Sequence, residues 1–185
     1  MKINSKELFS IPNILSYIRI LLIPFFLKTY IYAAAPKDYY VASFIILLSG
    51  LTDLVDGYIA RKYNMITELG KAIDPIADKL TQGAIVLCLM IRLKGMFVPL
   101  VVIFILKELF MAISCLVLLR KRKKLDGAKW FGKVSTAVFY INMFIIIAIP
   151  GLNTTAVNIL ICISAFFMLL SFALYIPAFK NLYKS

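Results

Sequence analysis

The feature that most constrains this chain is the recurrence of long apolar runs. Six stretches, near 12–35, 39–60, 72–91, 96–119, 132–149 and 155–177, each approach the roughly 20 residues that carry an α-helix across the hydrocarbon core of a bilayer. They use nearly all of the 185 residues, of which 62% are hydrophobic, against roughly 45–50% in ordinary globular domains. The connections are short, no internal repeat is evident, and the longest polar interval is RKRKKLDGAK. The expected fold is therefore all-α: a single polytopic integral membrane domain over 1–185 with six transmembrane helices. Residues 1–10 read as a short helix lying at the interface. Ser10 before Ile-Pro-Asn marks the start of the first span, a capping hydroxyl followed by a proline where a backbone N–H is not missed. A cleaved signal peptide is rejected, because Lys28 interrupts the apolar run and Pro36 would follow the small residues of IYAAAPKD.

Orientation follows from the 21 Lys and Arg residues. With the N-terminus in the cytoplasm, that side carries Lys2, Lys6, Arg61, Lys62, Lys71, Arg120, the Lys121–Lys124 run with Arg122, Lys129, Lys180 and Lys184; the opposite loops carry Lys37, Arg92 and Lys94 alone. Both termini are expected inside, in the cell membrane. A net charge of +12 invites a nucleic-acid reading, but the basic residues lie at membrane edges, without aromatic stacking positions between them on a soluble surface. Anionic lipid headgroups are the expected partner and nucleic acid is not. The three cysteines, Cys88, Cys115 and Cys162, fall inside spans without metal-type spacing and read as apolar filler.

Against this background four aspartates stand out. A charged side chain at the centre of a membrane helix costs about 2.5–3.5 kcal/mol on insertion scales, so Asp53, Asp56, Asp74 and Asp78 need an offsetting interaction. On a helix, Asp53 and Asp56 lie about 60° apart and Asp74 and Asp78 about 40° apart, so each pair shares a face. Gly57, Ala60 and Gly70 border those faces and let a group approach the backbone closely. Asp53 stands eight residues before Arg61 and Asp78 seven after Lys71. Both are therefore about 10–12 Å inside the cytoplasmic boundary. Two consecutive helices can thus present four carboxylates to one cytoplasm-facing cavity, where mutual repulsion calls for cations. Hard divalent ions, Mg²⁺ or Mn²⁺, suit an all-oxygen set, and a chain with no histidine is not built for zinc. The competing arrangement is neutralisation by neighbours: Asp78 by Lys79 or Lys107, Asp56 by Arg61, the others by Arg19.

The run Asp53-Leu-Val-Asp56-Gly57-Tyr-Ile-Ala60-Arg61, eight further residues, then Gly70-Lys-Ala-Ile-Asp74-Pro-Ile-Ala-Asp78 fills every position of a known signature. It resembles that of the CDP-alcohol phosphatidyltransferase family. The flanking IPNILSYIRILLIPFF, DPIADKL, Lys107-Glu108 and GKVST are similar to the bacterial phosphatidylglycerophosphate synthases within it. The resemblance implies transfer of the phosphatidyl group of CDP-diacylglycerol to glycerol 3-phosphate by metal-assisted in-line attack. It implies two divalent cations held by Asp53, Asp56 and Asp74, with Asp78 contributing to one of them and acting as general base. Gly57, Ala60, Arg61 and Gly70 would accommodate CDP-diacylglycerol, and related enzymes suggest a homodimer.

For the acceptor's phosphate the first candidate is Lys133, at the start of the fifth span, then Arg120 and Arg19, with Thr136 one turn from Lys133 adding a hydroxyl. The RKRKK run reads as a positive-inside anchor, and Arg19 equally well as a neutraliser of the acidic site. Lys107 and Glu108 are expected to diverge and pair across helices. Other acceptors compatible with the same chemistry are serine, inositol phosphate and phosphatidylglycerol. An intramembrane cation transporter is the rival from another class, and repeated halves or broken helices would favour it.

Overall fold

The computed structural model describes residues 9–63, 65, 67–120 and 129–184. Among them six long helices follow one another: α1 (Ile11–Ile31), α2 (Pro36–Lys62), α3 (Glu68–Leu93), α4 (Val98–Arg120), α5 (Trp130–Ala148) and α6 (Thr154–Lys184), with a 3₁₀ turn at Lys94–Met96. A helix lies at each of the six expected positions, in an all-α polytopic membrane protein. The interfacial helix expected over 1–10 falls almost wholly outside the described residues.

Among the described residues five helices are long and apolar enough to cross a membrane. The sixth, α3, has the length at 26 residues but carries Lys71, Asp74, Asp78 and Lys79 in its first half. It is also the strongly amphipathic one, burying Ala77, Thr81, Ala84, Ile85 and Cys88 along a single helical stripe. Elsewhere large apolar side chains such as Leu21, Phe44, Leu109, Ile141 and Phe166 point outward, the pattern of helices solvated by lipid rather than water.

Helix ends depart from the apolar runs where local chemistry sets them. α2 begins at Pro36, three residues before the run at 39, because the Asp38 carboxylate accepts the N–H groups of Ala34 (2.9 Å) and Ala35 (2.8 Å). α3 begins four residues before its run, with Thr67 Oγ1 accepting the N–H of Gly70 at 2.9 Å. α6 continues beyond Pro177 to Lys184, since Phe179 packs with Leu118 and Tyr175. Ser10 does precede α1, but its hydroxyl makes no cap hydrogen bond; its carbonyl accepts from the N–H of Ile14 instead.

The chain divides into two compact units, Met1–Ile91 with Ile147–Pro150 and Arg92–Ile146 with Gly151–Ser185. In the first, α1 packs along α2, with Phe26, Tyr30, Ala42 and Ile46 buried and Tyr30 meeting Tyr39 edge-on at 5.7 Å. In the second, Phe110 of α4 meets Phe172 and Phe179 of α6 at 5.0 and 5.8 Å. The buried Asn142 of α5 donates to Ser164 Oγ at 3.0 Å and to the Leu160 carbonyl at 3.2 Å. Gly132 of α5 lies against the Tyr175 ring, so close that a Cβ would stand 3.1 Å from its Cζ. Lys107 and Glu108 do not diverge: their charged ends are 3.5 Å apart, the flexible lysine stem reaching round to its neighbour. All three cysteines are free thiols.

Candidate active site

The first unit gathers the four aspartates. Asp53 and Asp56 project from the C-terminal half of α2, Asp74 and Asp78 from the N-terminal half of α3. Asp56 is buried at 3% exposure, whereas the Asp53 side chain is half exposed. Three of the four border one neighbour, α1, which meets Asp53 and Asp56 through Arg19 and Asp74 through Ser16. They form an acidic cluster drawn from two helices.

A third helix completes the cluster, and its contribution was largely missed in the sequence. Asn13, Ser16 and Arg19 recur every third residue on α1 and are all but fully buried. The Arg19 guanidinium spans the α2 pair, with Nη1 at 2.8 Å from Asp53 Oδ1 and Nη2 hydrogen-bonded to Asp56 Oδ2. The Ser16 hydroxyl has Asp74 Oδ1 and the Pro12 carbonyl as the two acceptors within reach of its one proton. Asn13 Nδ2 donates to Thr67 Oγ1 at 3.2 Å, tying α1 to the cap of α3. The signal was available: three polar residues at a helical interval inside IPNILSYIRILL mark one face as turned from lipid.

Neutralisation by neighbours is therefore part of the picture, with altered partners. Asp56 is paired by Arg19, not Arg61, whose guanidinium folds back over Gly57, 3.5 Å from where a Cβ would be. Lys79 reaches Asp78 at 3.8 Å despite leaving the helix about 100° away, again because its stem is flexible. Gln82, buried one turn on, donates Nε2 to both Asp78 oxygens at 3.0 and 2.9 Å. Gly70 does admit a close neighbour, the Asn13 side chain. The remaining acceptor candidates belong to the second unit: Lys133 is exposed on the first turn of α5, Thr136 is half-buried one turn later, and Arg120 ends α4.

The sequence matches the family model of CDP-alcohol phosphatidyltransferases over residues 9–177. The chain belongs to that family. CDP-alcohol phosphatidyltransferases are as a rule dependent on divalent cations. Among the described residues no three acidic or thiol side chains converge on one point as a coordination shell. The four aspartates nevertheless suit such ions: they offer carboxylate oxygens alone, and the α2 pair already gathers a cationic group. Relatives include a CDP-diacylglycerol–glycerol-3-phosphate 3-phosphatidyltransferase of Haemophilus influenzae, 30% identical over 131 residues covering 69% of this chain and 70% of that protein. One of the same name from Rickettsia bellii is 42% identical over 81 residues, 44% of each chain. A cardiolipin synthase (CMP-forming)/mitochondrial hydrolase fusion protein of Schizosaccharomyces pombe is 40% identical over 88 residues, 47% of this chain and 14% of that protein. The matched stretch thus spans less than half the length of two of these three curated relatives.

Proposed function

We propose that this chain transfers the phosphatidyl group of CDP-diacylglycerol to glycerol 3-phosphate, giving phosphatidylglycerophosphate and CMP. The observation that carries the reading is the placement of Asp53, Asp56, Asp74 and Asp78 on two consecutive helices inside the family match, three of them meeting polar side chains of α1. The names of the Rickettsia and Haemophilus relatives favour glycerol 3-phosphate as acceptor.

In this reading the acceptor's 1-hydroxyl attacks the phosphorus bearing the diacylglycerol, the bond to CMP breaks with CMP taking the electron pair, and the hydroxyl proton passes to Asp78. Gln82 holds both oxygens of that carboxylate and so fixes its plane. Two divalent cations, Mg²⁺ or Mn²⁺, held by Asp53, Asp56 and Asp74 with a contribution from Asp78, would neutralise the diphosphate and the departing CMP. Gly57 and Ala60 leave room for the nucleotide and Arg61 meets its phosphate, while Gly70 serves by admitting Asn13 beside the site. Lys133, with Arg120 and Thr136, takes the acceptor's phosphate; Arg19, committed to the aspartates, ranks behind them. The family match crosses both compact units without a break, which favours one functional domain over 1–185. The basic residues favour a site and termini that face the cytoplasm at an anionic lipid surface; a homodimer is what the resemblance to related enzymes implies.

A second reading, with phosphatidylglycerol as acceptor, is favoured by the cardiolipin synthase relative. Purified protein given CDP-diacylglycerol and a panel of glycerol 3-phosphate, phosphatidylglycerol, serine and inositol phosphate tests both by CMP release, with EDTA as the metal control. Release with glycerol 3-phosphate alone supports the first reading, and release with phosphatidylglycerol alone the second. No release with any acceptor removes both and leaves cation transport to be assayed in vesicles.

A further inference from the structure

Arg19 is 1% exposed, and its terminal nitrogens go to two different aspartates, Nη1 to Asp53 and Nη2 to Asp56. Among the described residues neither its Nε nor its Nη1 has a hydrogen-bond partner, the Nη1 contact to Asp53 being an ion pair. A buried guanidinium needs a counter-charge, because an unpaired charge in a low-dielectric site is strongly unfavourable. The dependence runs both ways: Asp56 is 3% exposed, and among the described residues Arg19 is the cation that pairs with it. Arg19 uses one oxygen of each aspartate. A divalent ion drawing on the same two carboxylates must therefore come within a few ångströms of a full positive charge, and like charges that close repel. The guanidinium and the divalent ion cannot both bind this pair at full strength.

We infer that Arg19 is the internal counter-cation of the aspartate cluster: it holds Asp53 and Asp56 together in the cation-free protein and is loosened from at least one of them when a divalent cation binds. The inference rests on the metal reading above. Arg19 is then a positioning residue with two opposed effects. It stabilises the folded chain before metal arrives and weakens the metal's hold afterwards, so that occupancy responds to cation concentration instead of being fixed.

The test uses the purified full chain in detergent, as wild type, Arg19→Gln and Arg19→Lys. Mn²⁺ binding is read from the electron paramagnetic resonance of the free ion, and thermal unfolding is followed in EDTA and in Mn²⁺. Arg19→Gln is expected to bind Mn²⁺ at least about tenfold more tightly, the scale on which removing one nearby unit charge acts at a partly buried site. Its unfolding midpoint in EDTA falls below that of wild type, and Mn²⁺ raises it by more than it raises the wild type's. Arg19→Lys, which keeps the charge without the fork, falls between the two in both readouts. Unchanged or weaker Mn²⁺ binding by Arg19→Gln overturns the inference, since Arg19 would then build the site instead of competing for it. If Arg19→Gln does not fold, Arg19→Lys decides alone: tighter binding than wild type supports the inference, and equal or weaker binding overturns it. Wild-type protein that binds no Mn²⁺ overturns the metal reading itself, whereas wild-type binding with no gain in either variant overturns only the role of Arg19.

Discussion

Asn13 stands so close to Gly70 that a Cβ built on the glycine would lie 2.6 Å from the asparagine Oδ1 and 3.0 Å from Thr67 Oγ1. This is where α1 meets the start of α3, and both neighbours are held, Asn13 bonding to Thr67 and Thr67 accepting from the Gly70 N–H. Gly70→Ala is therefore expected to destabilise the protein by about 1–3 kcal/mol, the usual range for overpacking a filled site. Asn13→Ala in the same chain should recover part of that loss, because it removes the clashing oxygen. A thermal-unfolding double-mutant cycle measures the coupling; strict additivity would mean that the helices separate instead of clashing.

Asp74 offers a cleaner separation of charge from fold than Asp56 does. Ser16 donates to Asp74 Oδ1, and an amide oxygen accepts that hydrogen bond as well as a carboxylate oxygen does. Asp56, by contrast, carries the buried Arg19 pair, whose disruption costs several kcal/mol. Asp74→Asn should accordingly unfold within about 0.5 kcal/mol of wild type. Its CMP release should fall by about 10²–10³-fold or more, the scale on which lost electrostatic stabilisation acts. Undiminished release at low Mg²⁺ would remove Asp74 from the metal set.

The spans and the four aspartates were legible because each carries its own signal: twenty apolar residues need no partner to be recognised, and carboxylates in such a run are costly wherever they point. What stayed hidden depended on partners. The start of α3 is set by Thr67, whose capping oxygen is tied to Asn13 on another helix, and α6 outruns its apolar stretch because Phe179 finds Tyr175 and Leu118. Arg19 had two readings in the sequence, phosphate ligand and neutraliser; only the packing of α1 beside α2 brings its fork to Asp53 and Asp56. Gln82 followed Asp78 at i+4 in plain view, yet a glutamine on a helix carries no signal until the carboxylate beside it has been given a task.

That task makes a prediction. If Asp78 is the base, Asp78→Asn should retain CDP-diacylglycerol binding far better than turnover, with kcat falling about 10²–10⁴-fold and KM for the lipid donor changing little. The asparagine Oδ1 still accepts from Gln82 Nε2 while the second bond is lost, so the local cost in stability is about 1 kcal/mol. Equilibrium binding of the donor beside steady-state CMP release separates the two quantities. Donor affinity lost as completely as turnover would make Asp78 chiefly a metal ligand.

The acceptor's phosphate calls for a cationic pocket, and Lys133 is the residue that tests its place. Glycerol 3-phosphate carries close to two negative charges at neutral pH, so its pocket needs charge-assisted hydrogen bonds that a neutral acceptor would not. Lys133 is exposed on the first turn of α5, where its own N–H and that of Gly132 are both tied to the Lys129 carbonyl, so the base of the side chain is fixed while its ammonium stays accessible. Lys133→Ala should raise KM for glycerol 3-phosphate by one to two orders of magnitude, about 1.4–3 kcal/mol, and leave KM for CDP-diacylglycerol nearly unchanged. Thr136→Val, which removes one hydroxyl and no charge, should cost about 1 kcal/mol in the same direction. Neutralising Lys123 in the basic run should do much less than Lys133→Ala, because a headgroup anchor is shared among many lysines. Equal effects of the Lys133 and Lys123 changes, or a Lys133 effect on the donor instead of the acceptor, would move the phosphate site to Arg120.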